Sequence, residues 1–408
     1  MKFLHTSDWH LGKRLEDFSR LEEQQAVLQE ICEIADRENV DAVVICGDLF
    51  DTYNPPTEAV DLFYKTLKKL ANNGKRPVIA IAGNHDSADR IESPDPLARE
   101  CGIIFAGFPH THIAPFELES RLKISHSAAG FIELQIPSLA YPFRIITTPY
   151  ANELRLKTFL GVEESEEELR LVLQKHWADL AQKYCDKKGV NIMASHLLFI
   201  RKGDELPEES EDEKPILYVG GAQAIYTENI PPAIQYVALG HLHRKQTAGT
   251  VPCPVVYTGS PLAYSFSEAN QDKYVIIVEA EPGEKVVISE ILLKSGKKLV
   301  RKRFDEIDAA LEWLNQNPDI FIELTMVSET YLATNDRKLL LGAHKGIISI
   351  IPEMRKLDQK NDLDSSAIDL SKNMEDLFTD FFKYKKGQLP NERMLNLFKE
   401  VISQEDVP

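Results

Sequence analysis

A chain of 408 residues, 43% of them apolar and 27% charged, is too long for one ordinary core and too apolar for disorder, so two or three folded domains are expected. Its net charge of −17 excludes nonspecific polyanion binding by the surface as a whole; a nucleic-acid substrate then needs bound cations or a partner to supply positive field. Met1 to Leu11 carries no long apolar stretch, no run approaches ~18 apolar residues, and the five cysteines stand far apart without a Cys-x-x-Cys pair, so a reduced, cytoplasmic protein with no signal peptide and no membrane span is expected.

Lys2–Ser7 reads as a short apolar strand, Leu21–Glu38 as an amphipathic helix, Ala42–Cys46 as a strand, Thr57–Asn72 as a helix and Pro77–Ala82 as a third strand. Short strands are expected at Ile103–Ala106, Phe131–Ile136 and Arg144–Thr148. A long helix at Glu166–Cys185, with an acidic start from Glu163, and a buried strand at Val190–Ala194 come next. The acidic run Asp204–Glu213 reads as a solvated loop, and strands Ile234–Leu239, Pro254–Tyr257 and Lys273–Glu279 close residues 1–283. Strand–helix alternation followed by strand richness makes the class α/β, with two packed sheets and helices outside. A small α+β unit is expected over 284–354: strand Val286–Leu293, helix Asp305–Asn315, strand Ile320–Val327, helix Asn335–Ala343 and strand Ile347–Ile351. Residues 355–370 read as a polar linker, and 371–408 carry two amphipathic helices, near 374–386 and 391–402.

The polar residues that follow the strands carry the chemistry. They are Ser7-Asp8-Trp9-His10, Gly47-Asp48-Leu49-Phe50-Asp51, Gly83-Asn84-His85-Asp86, Ser195-His196 and Gly240-His241-Leu242-His243. The carboxyl ends of parallel strands share one edge of an open α/β sheet, where ligands bind. Asp8, His10, Asp48, Asn84, His196, His241 and His243 would therefore converge. Imidazole nitrogens mixed with carboxylate and amide oxygens, and no thiolate, suit manganese, iron or zinc. Such a set exceeds the three or four ligands that one catalytic metal takes, but divides over two ions if one carboxylate bridges. Two ions about 3.5–4 Å apart can activate a water and stabilise the oxygens of an in-line phosphoryl displacement. Any one of these motifs alone is an ordinary turn; the five together point to a dinuclear centre.

In this order, Asp-x-His, Gly-Asp-x-x-Asp, Gly-Asn-His-Asp, a later single His and Gly-His-x-His resemble the calcineurin-like metallophosphoesterases. The stretches HTSDWHLGK, GDLFD, GNHDS, GHLHR and GSPLAYSFSE are similar to the DNA-nuclease branch of that family. The resemblance runs over nearly the whole chain and is weakest in the acidic loop. It implies a four-layer αββα sandwich with a small α+β cap domain and a C-terminal helical hairpin. It also implies a manganese-dependent 3'-5' exonuclease and endonuclease subunit that processes DNA ends and hairpins in bacterial repair, recombination and replication. One ion would take Asp8, His10 and His243, the other Asn84, His196 and His241, with Asp48 bridging. The implied partners are DNA, a second copy of the chain and an SMC-like coiled-coil ATPase, together a heterotetramer. The competing enzymatic reading is a dinuclear-metal phosphatase or phosphodiesterase for a small molecule or a phosphoprotein.

The ions have ligands enough without His85, which is assigned to the phosphate and leaving-group oxygen as donor or general acid. Asp51 either holds the His85 imidazole in its donor tautomer or caps a turn; Asp86 reads as a turn acceptor. Lys13, Arg14, Arg90, Arg201, Lys202, Arg244 and Lys245 follow the ligand motifs. Singly these are surface residues, and together they can form a basic rim for DNA phosphates. On Thr57–Asn72, Leu62, Phe63, Thr66, Leu67 and Leu70 form a stripe that serves either a homodimer or the helix's own sheet. In the terminal helices, Met374, Leu377, Phe378, Phe381 and Phe382, then Leu395, Phe398, Val401 and Ile402, follow helical spacing, and the partner ATPase is the expected occupant of that face.

Overall fold

Apolar runs with no alternation become the central strands. Ala42–Cys46 and Val78–Ile81 are buried along their whole length, as expected of parallel strands covered on both faces. The computed structural model describes residues 1–150, 166–205, 225–328, 332–354 and 374–386, and beyond these 390, 394, 395 and 398. The chain divides into two compact units, Met1–Glu353 and Met354–Pro408.

The first unit is built on two large sheets. One has six strands in the order Val287–Leu292, Tyr274–Glu279, Lys2–Thr6, Ala42–Cys46, Val78–Ile81 and Ile103–Ala106. From Lys2–Thr6 to Ile103–Ala106 the pairing is parallel, with Phe3 opposite Ala42, Val43 opposite Val78 and Val78 opposite Ile103. The other has seven strands in the order Gln246–Gly249, Val255–Tyr257, Tyr236–Leu239, Val190–Ser195, Phe143–Thr148, Phe131–Gln135 and Lys123–Ala128. Its four strands from Val255–Tyr257 to Phe143–Thr148 are parallel, so both sheets present carboxyl ends to one edge.

Three apolar cores hold the layers. Phe3, Val44 and Ile79 of the first sheet meet Ile145, Ile192 and Tyr236 of the second, with the Phe3 ring edge-on to Tyr236 at 5.7 Å. Helices Leu21–Arg37 and Thr57–Leu70 cover the outer face of the first sheet through Val27, Ile31, Phe63 and Leu67. Helix Glu166–Tyr184 covers the second through Leu173, Trp177 and Leu180. Each large side chain so buried is worth roughly 1.5–3 kcal/mol. The layers therefore run αββα, as expected. Asn39, at φ 52°, ends the first helix in the left-handed conformation that commonly stops helices.

Two placements differ from the sequence reading. Val287–Leu292, expected to open the small α+β unit, is the edge strand of the first sheet, antiparallel to Tyr274–Glu279. Its link is a tight turn, Glu281-Pro282-Gly283-Glu284, with Gly283 at φ 72° and Glu284 N–H bonded to Glu281 O at 3.1 Å. Proline then glycine is the signature of a turn that needs positive φ at its third residue. The small sheet instead starts at Lys298–Phe304, a strand so rich in lysine and arginine that only Leu299 is fully buried. It pairs in parallel with Ile320–Ser328, and Ile347–Met354 completes the sheet. Helices Ile307–Gln316 and Thr334–Ala343 pack on it through Ala310, Leu314 and Leu340.

The stripe on Thr57–Leu70 is used by the chain's own core: Phe63, Thr66, Leu67 and Leu70 are buried and Leu62 is partly so. That stripe is no free dimer face. In the second unit, helix Met374–Lys386 carries Leu377, Phe378 and Phe382 half-buried and Phe381 exposed. Phe378 stacks on Phe398 with ring centroids 4.0 Å apart, and Leu395 is half-buried. Val401, Ile402, the linker 355–370 and most of the acidic loop, from residue 206, lie outside the described residues. No described helix is long and apolar enough to cross a membrane.

Candidate metal centre

Strand ends create the site because the first turns run side by side. Asp8 N–H bonds Gly47 O at 3.0 Å, His10 N–H bonds Asp48 O at 2.9 Å and Leu11 N–H bonds Leu49 O at 3.1 Å. The backbone bends sharply to do this. Asp8, His10, Asp48 and His241 have φ of 53°, 44°, 48° and 104°. Left-handed conformations at non-glycine residues cost about 1–3 kcal/mol each and persist where surrounding structure enforces them, most often at functional sites. Two glycines permit the close approach. A Cβ on Gly47 would overlap the His196 ring, and one on Gly83 would overlap the Asp48 carboxylate. Only glycine lets a histidine of the second sheet reach across to the loops of the first.

The candidate ligands fall into two groups. Donor atoms of Asp8, His10 and His243 lie within 4.8 Å of one another, and so do those of Asp48, His196 and His241. Asn84 Oδ1 is 2.9 Å from His196 Nε2. Asp48 stands between the groups, its Oδ2 at 3.6 Å from His10 Nε2 and 3.3 Å from His196 Nε2. Inside the first group, His10 Nε2 and His243 Nε2 face each other at 2.9 Å. Every one of these residues is buried. Converging lone pairs shut away from water need a cation to offset their desolvation, and imidazole with carboxylate and amide oxygen fits a borderline divalent metal. The residues present thus fit the group that the motifs imply.

The main chain orients two of the rings. His196 Nδ1–H donates to Cys46 O at 2.8 Å, which directs Nε2 to the site, as the outer-shell bond of a metal-binding histidine does. His85 Nδ1–H donates to the main-chain carbonyl of Asp51 at 2.8 Å. This corrects the expected role of Asp51. Its carbonyl, not the anticipated carboxylate, holds His85 Nδ1, while the carboxylate faces Lys13 Nζ at 3.3 Å and His10 Nδ1 at 3.6 Å. Spacing sets Asp51 beside His85 but does not say which of its oxygens is used.

Charge follows position. Burial works against an ionised Asp48, but His196 and His10 beside it outweigh that and hold its pKa well below the ordinary carboxylate range. Burial likewise opposes a protonated His196, and the Asp48 carboxylate overcomes it, pushing the pKa up to about 9. Burial lowers His10 to about 4 against the pull of Asp51. Asp86 goes the other way: burial and the Asp48 charge push it up to about 7. It accepts from the N–H groups of Leu49 at 3.0 Å, Phe50 at 3.0 Å and Gly83 at 2.8 Å. Beyond a turn cap, Asp86 ties the loop of Asp48 to the loop of Asn84 and His85.

The expected rim residues are disposed unevenly. Arg14, Arg90, Arg201, Lys202 and Arg244 are exposed. Arg14 donates to Asp17 O, Arg90 to Asn54 Oδ1 at 2.9 Å, and Arg201 pairs with Asp204 at 2.9 Å. Lys13 is turned inward to Asp51, and Lys245 pairs with Glu290 at 2.6 Å. The exposed Arg201–Asp204 pair is of a kind worth only ~0–1 kcal/mol and gives way readily to a phosphate, whereas the Lys13–Asp51 pair is largely shielded from solvent. Sequence reasoning missed Gln24 and Tyr264, which brace the His10 turn. Gln24 Nε2 donates to His10 O at 2.8 Å, and the Tyr264 hydroxyl donates to Trp9 O. A glutamine in the apolar face of an amphipathic helix was the available signal.

The calcineurin-like phosphoesterase signature matches residues 1–245, which hold all of these strand ends. The SbcD component of the nuclease SbcCD from Bacillus subtilis (strain 168) is 38% identical over 412 residues, covering 99% of this chain and 98% of that one. The protein of the same name from Escherichia coli (strain K12) is 32% identical over 369 residues, 88% of this chain and 86% of its own. That of Rhodobacter capsulatus is 34% identical over 288 residues, 69% and 67%. Likeness at this level over nearly the whole chain, with the family signature spanning the turns that bring the two ligand groups together, makes this chain a calcineurin-like phosphoesterase of the SbcD nuclease family.

Proposed function

We propose that the chain is the nuclease subunit of a bacterial SbcCD-type complex, acting on DNA with two divalent ions, manganese foremost, as 3'-5' exonuclease and endonuclease at ends and hairpins in the cytoplasm. The observation that carries this reading is Asp48, buried between two ligand groups and within 3.6 Å of a histidine from each. Asp8, His10 and His243 would hold one ion, Asn84, His196 and His241 the other, and Asp48 both. Bound there, the ions supply the positive charge that neutralises a phosphodiester and promotes in-line attack. Around them, His85 is held through Nδ1 on Asp51 O at 2.8 Å, and its Nε2 is assigned to the phosphate or to the proton. Arg14, Arg90, Arg201, Lys202 and Arg244 are assigned to DNA phosphates, and Lys13 and Lys245 to the same rim once their ion pairs yield.

Incubation of pure protein with labelled double- and single-stranded DNA and Mn²⁺ should give cleavage that a chelator abolishes. Turnover of bis-p-nitrophenyl phosphate with no DNA cleavage would instead establish the small-molecule phosphodiesterase reading.

The terminal helices are assigned to the ATPase partner, SbcC in the relatives' naming, in a heterotetramer with two copies of this chain. Stacking of Phe378 on Phe398 uses part of the apolar face. Met374 at 60% and Phe381 at 49% exposure leave the rest for a partner groove, and helices of about three turns need such a support. A chain ended at Ser371 should keep metal binding and intrinsic DNA cleavage, and lose co-purification with the ATPase and ATP stimulation. Undiminished ATPase binding by that chain would assign the helices to packing within their own unit.

A further inference from the structure

Glu268 is a carboxylate at 2% exposure in the short helical turn Phe266–Glu268, 25 residues along the chain from His243. Its Oε1 lies 3.3 Å from His243 Nδ1 and accepts the Tyr264 N–H at 3.1 Å. Its Oε2 accepts the Ser260 hydroxyl at 3.3 Å and forms a closer ion pair with Lys273 Nζ. Lys273, itself buried at 9% exposure, donates to His243 O at 2.9 Å and to Ser260 Oγ at 3.0 Å. The pair thus grips one residue at both ends, the ring by the acid and the main chain by the base.

Stability alone does not account for this pair. Two buried charges cost more desolvation than their attraction commonly returns, and apolar residues of similar volume usually serve a core as well or better. The contrast with His196 is informative. Its Nδ1 donates to a neutral main-chain carbonyl at 2.8 Å, whereas His243 Nδ1 is backed by a full negative charge. A carboxylate behind an imidazole fixes the tautomer, aims the other nitrogen and raises its basicity as a ligand.

Resting on the dinuclear-metal reading above, we infer that Glu268 is the positioning residue for His243. It fixes the proton on Nδ1 and presents Nε2, 2.9 Å from His10 Nε2, to a divalent cation. Lys273 offsets the buried charge and holds the His243 main chain in register.

Calorimetric titration of the full chain with Mn²⁺, without DNA, tests this. Wild type should bind two ions. Glu268→Gln should bind one of them about 10–100-fold more weakly, the usual loss when an outer-shell partner of a ligand is removed. The second ion, on the His196 and His241 side, should be unchanged. Should Glu268→Gln fail to fold because Lys273 is left uncompensated, the double variant Glu268→Gln/Lys273→Met removes both charges and should show the same selective loss. Wild-type affinity for both ions in these variants would reduce Glu268 to a structural ion pair and overturn the inference. So would equal loss of both ions together with a lowered thermal transition. A wild-type chain that binds no ion would instead overturn the metal reading on which the inference stands.

Discussion

Asp48→Asn is expected to abolish nuclease activity and to weaken the hold on both ions at once. The side chain is 2% exposed and reaches both ligand groups, at 3.6 Å from His10 Nε2 and 3.3 Å from His196 Nε2. Its other oxygen accepts the His85 N–H at 2.8 Å. Asparagine is nearly the same shape and its carbonyl can keep that last bond, so the loops should stay in place. What goes is the negative charge, and in its stead an amide faces imidazole nitrogens that need a cation. Removing one member of a buried charged set is far more damaging than its net worth in the intact site, because the remaining groups are left uncompensated. Elemental analysis of the purified variant should therefore find both ions depleted. Two ions still tightly held would defeat the bridging assignment, whatever the activity.

The central strands of this fold are legible in the sequence because their residues are almost all apolar on both faces, and the helices Leu21–Arg37 and Thr57–Leu70 are legible through a single apolar stripe. Ala42–Cys46, Val78–Ile81 and Val190–Ser195 have no alternation to misread, and the polar residues directly after them stand out by contrast. Lys298–Phe304 escapes notice for the opposite reason. Its long basic side chains carry charge into solvent while Leu299 is its one fully buried residue, so the pattern reads as loop. Val287–Leu292 reads as a strand but of the wrong sheet, because strand propensity says nothing about which partner a strand finds; the Pro-Gly turn before it holds that information.

The site divides in the same way. Convergence of the strand ends follows from topology, and so can be anticipated. The choice of oxygen on Asp51 is a matter of side-chain rotamer and turn geometry, which spacing cannot supply. Glu268 lies beyond reach on different grounds. It comes from a turn between strands, where no rule about strand ends applies, and it meets His243 only because the segment Gly259–Glu268 folds back, with Ser260 N–H on His243 O at 3.2 Å.

His85→Gln separates proton handling from metal binding. His85 is buried, with its ring 4.7 Å from that of His10, and its donor atoms lie within 4.8 Å of those of His10 and Asp51. Proximity alone would therefore admit it as a ligand. The orientation argues otherwise. Nδ1 is spent on the Asp51 carbonyl at 2.8 Å, and the two groups flanking Asp48 already offer enough donors for two ions. Glutamine reaches about as far as the imidazole Nε2 and can still donate a hydrogen bond to a phosphate oxygen. It cannot exchange a proton at neutral pH. Turnover should accordingly fall by about 10²–10⁴, the span usual for a lost general acid or base, or about 3–5 kcal/mol of barrier. Metal content by elemental analysis and the affinity for Mn²⁺ should be those of the wild type, and DNA binding should change little. If the ions leave with the activity, His85 belongs among the ligands. The leaving-group role would then pass to another donor at the same edge.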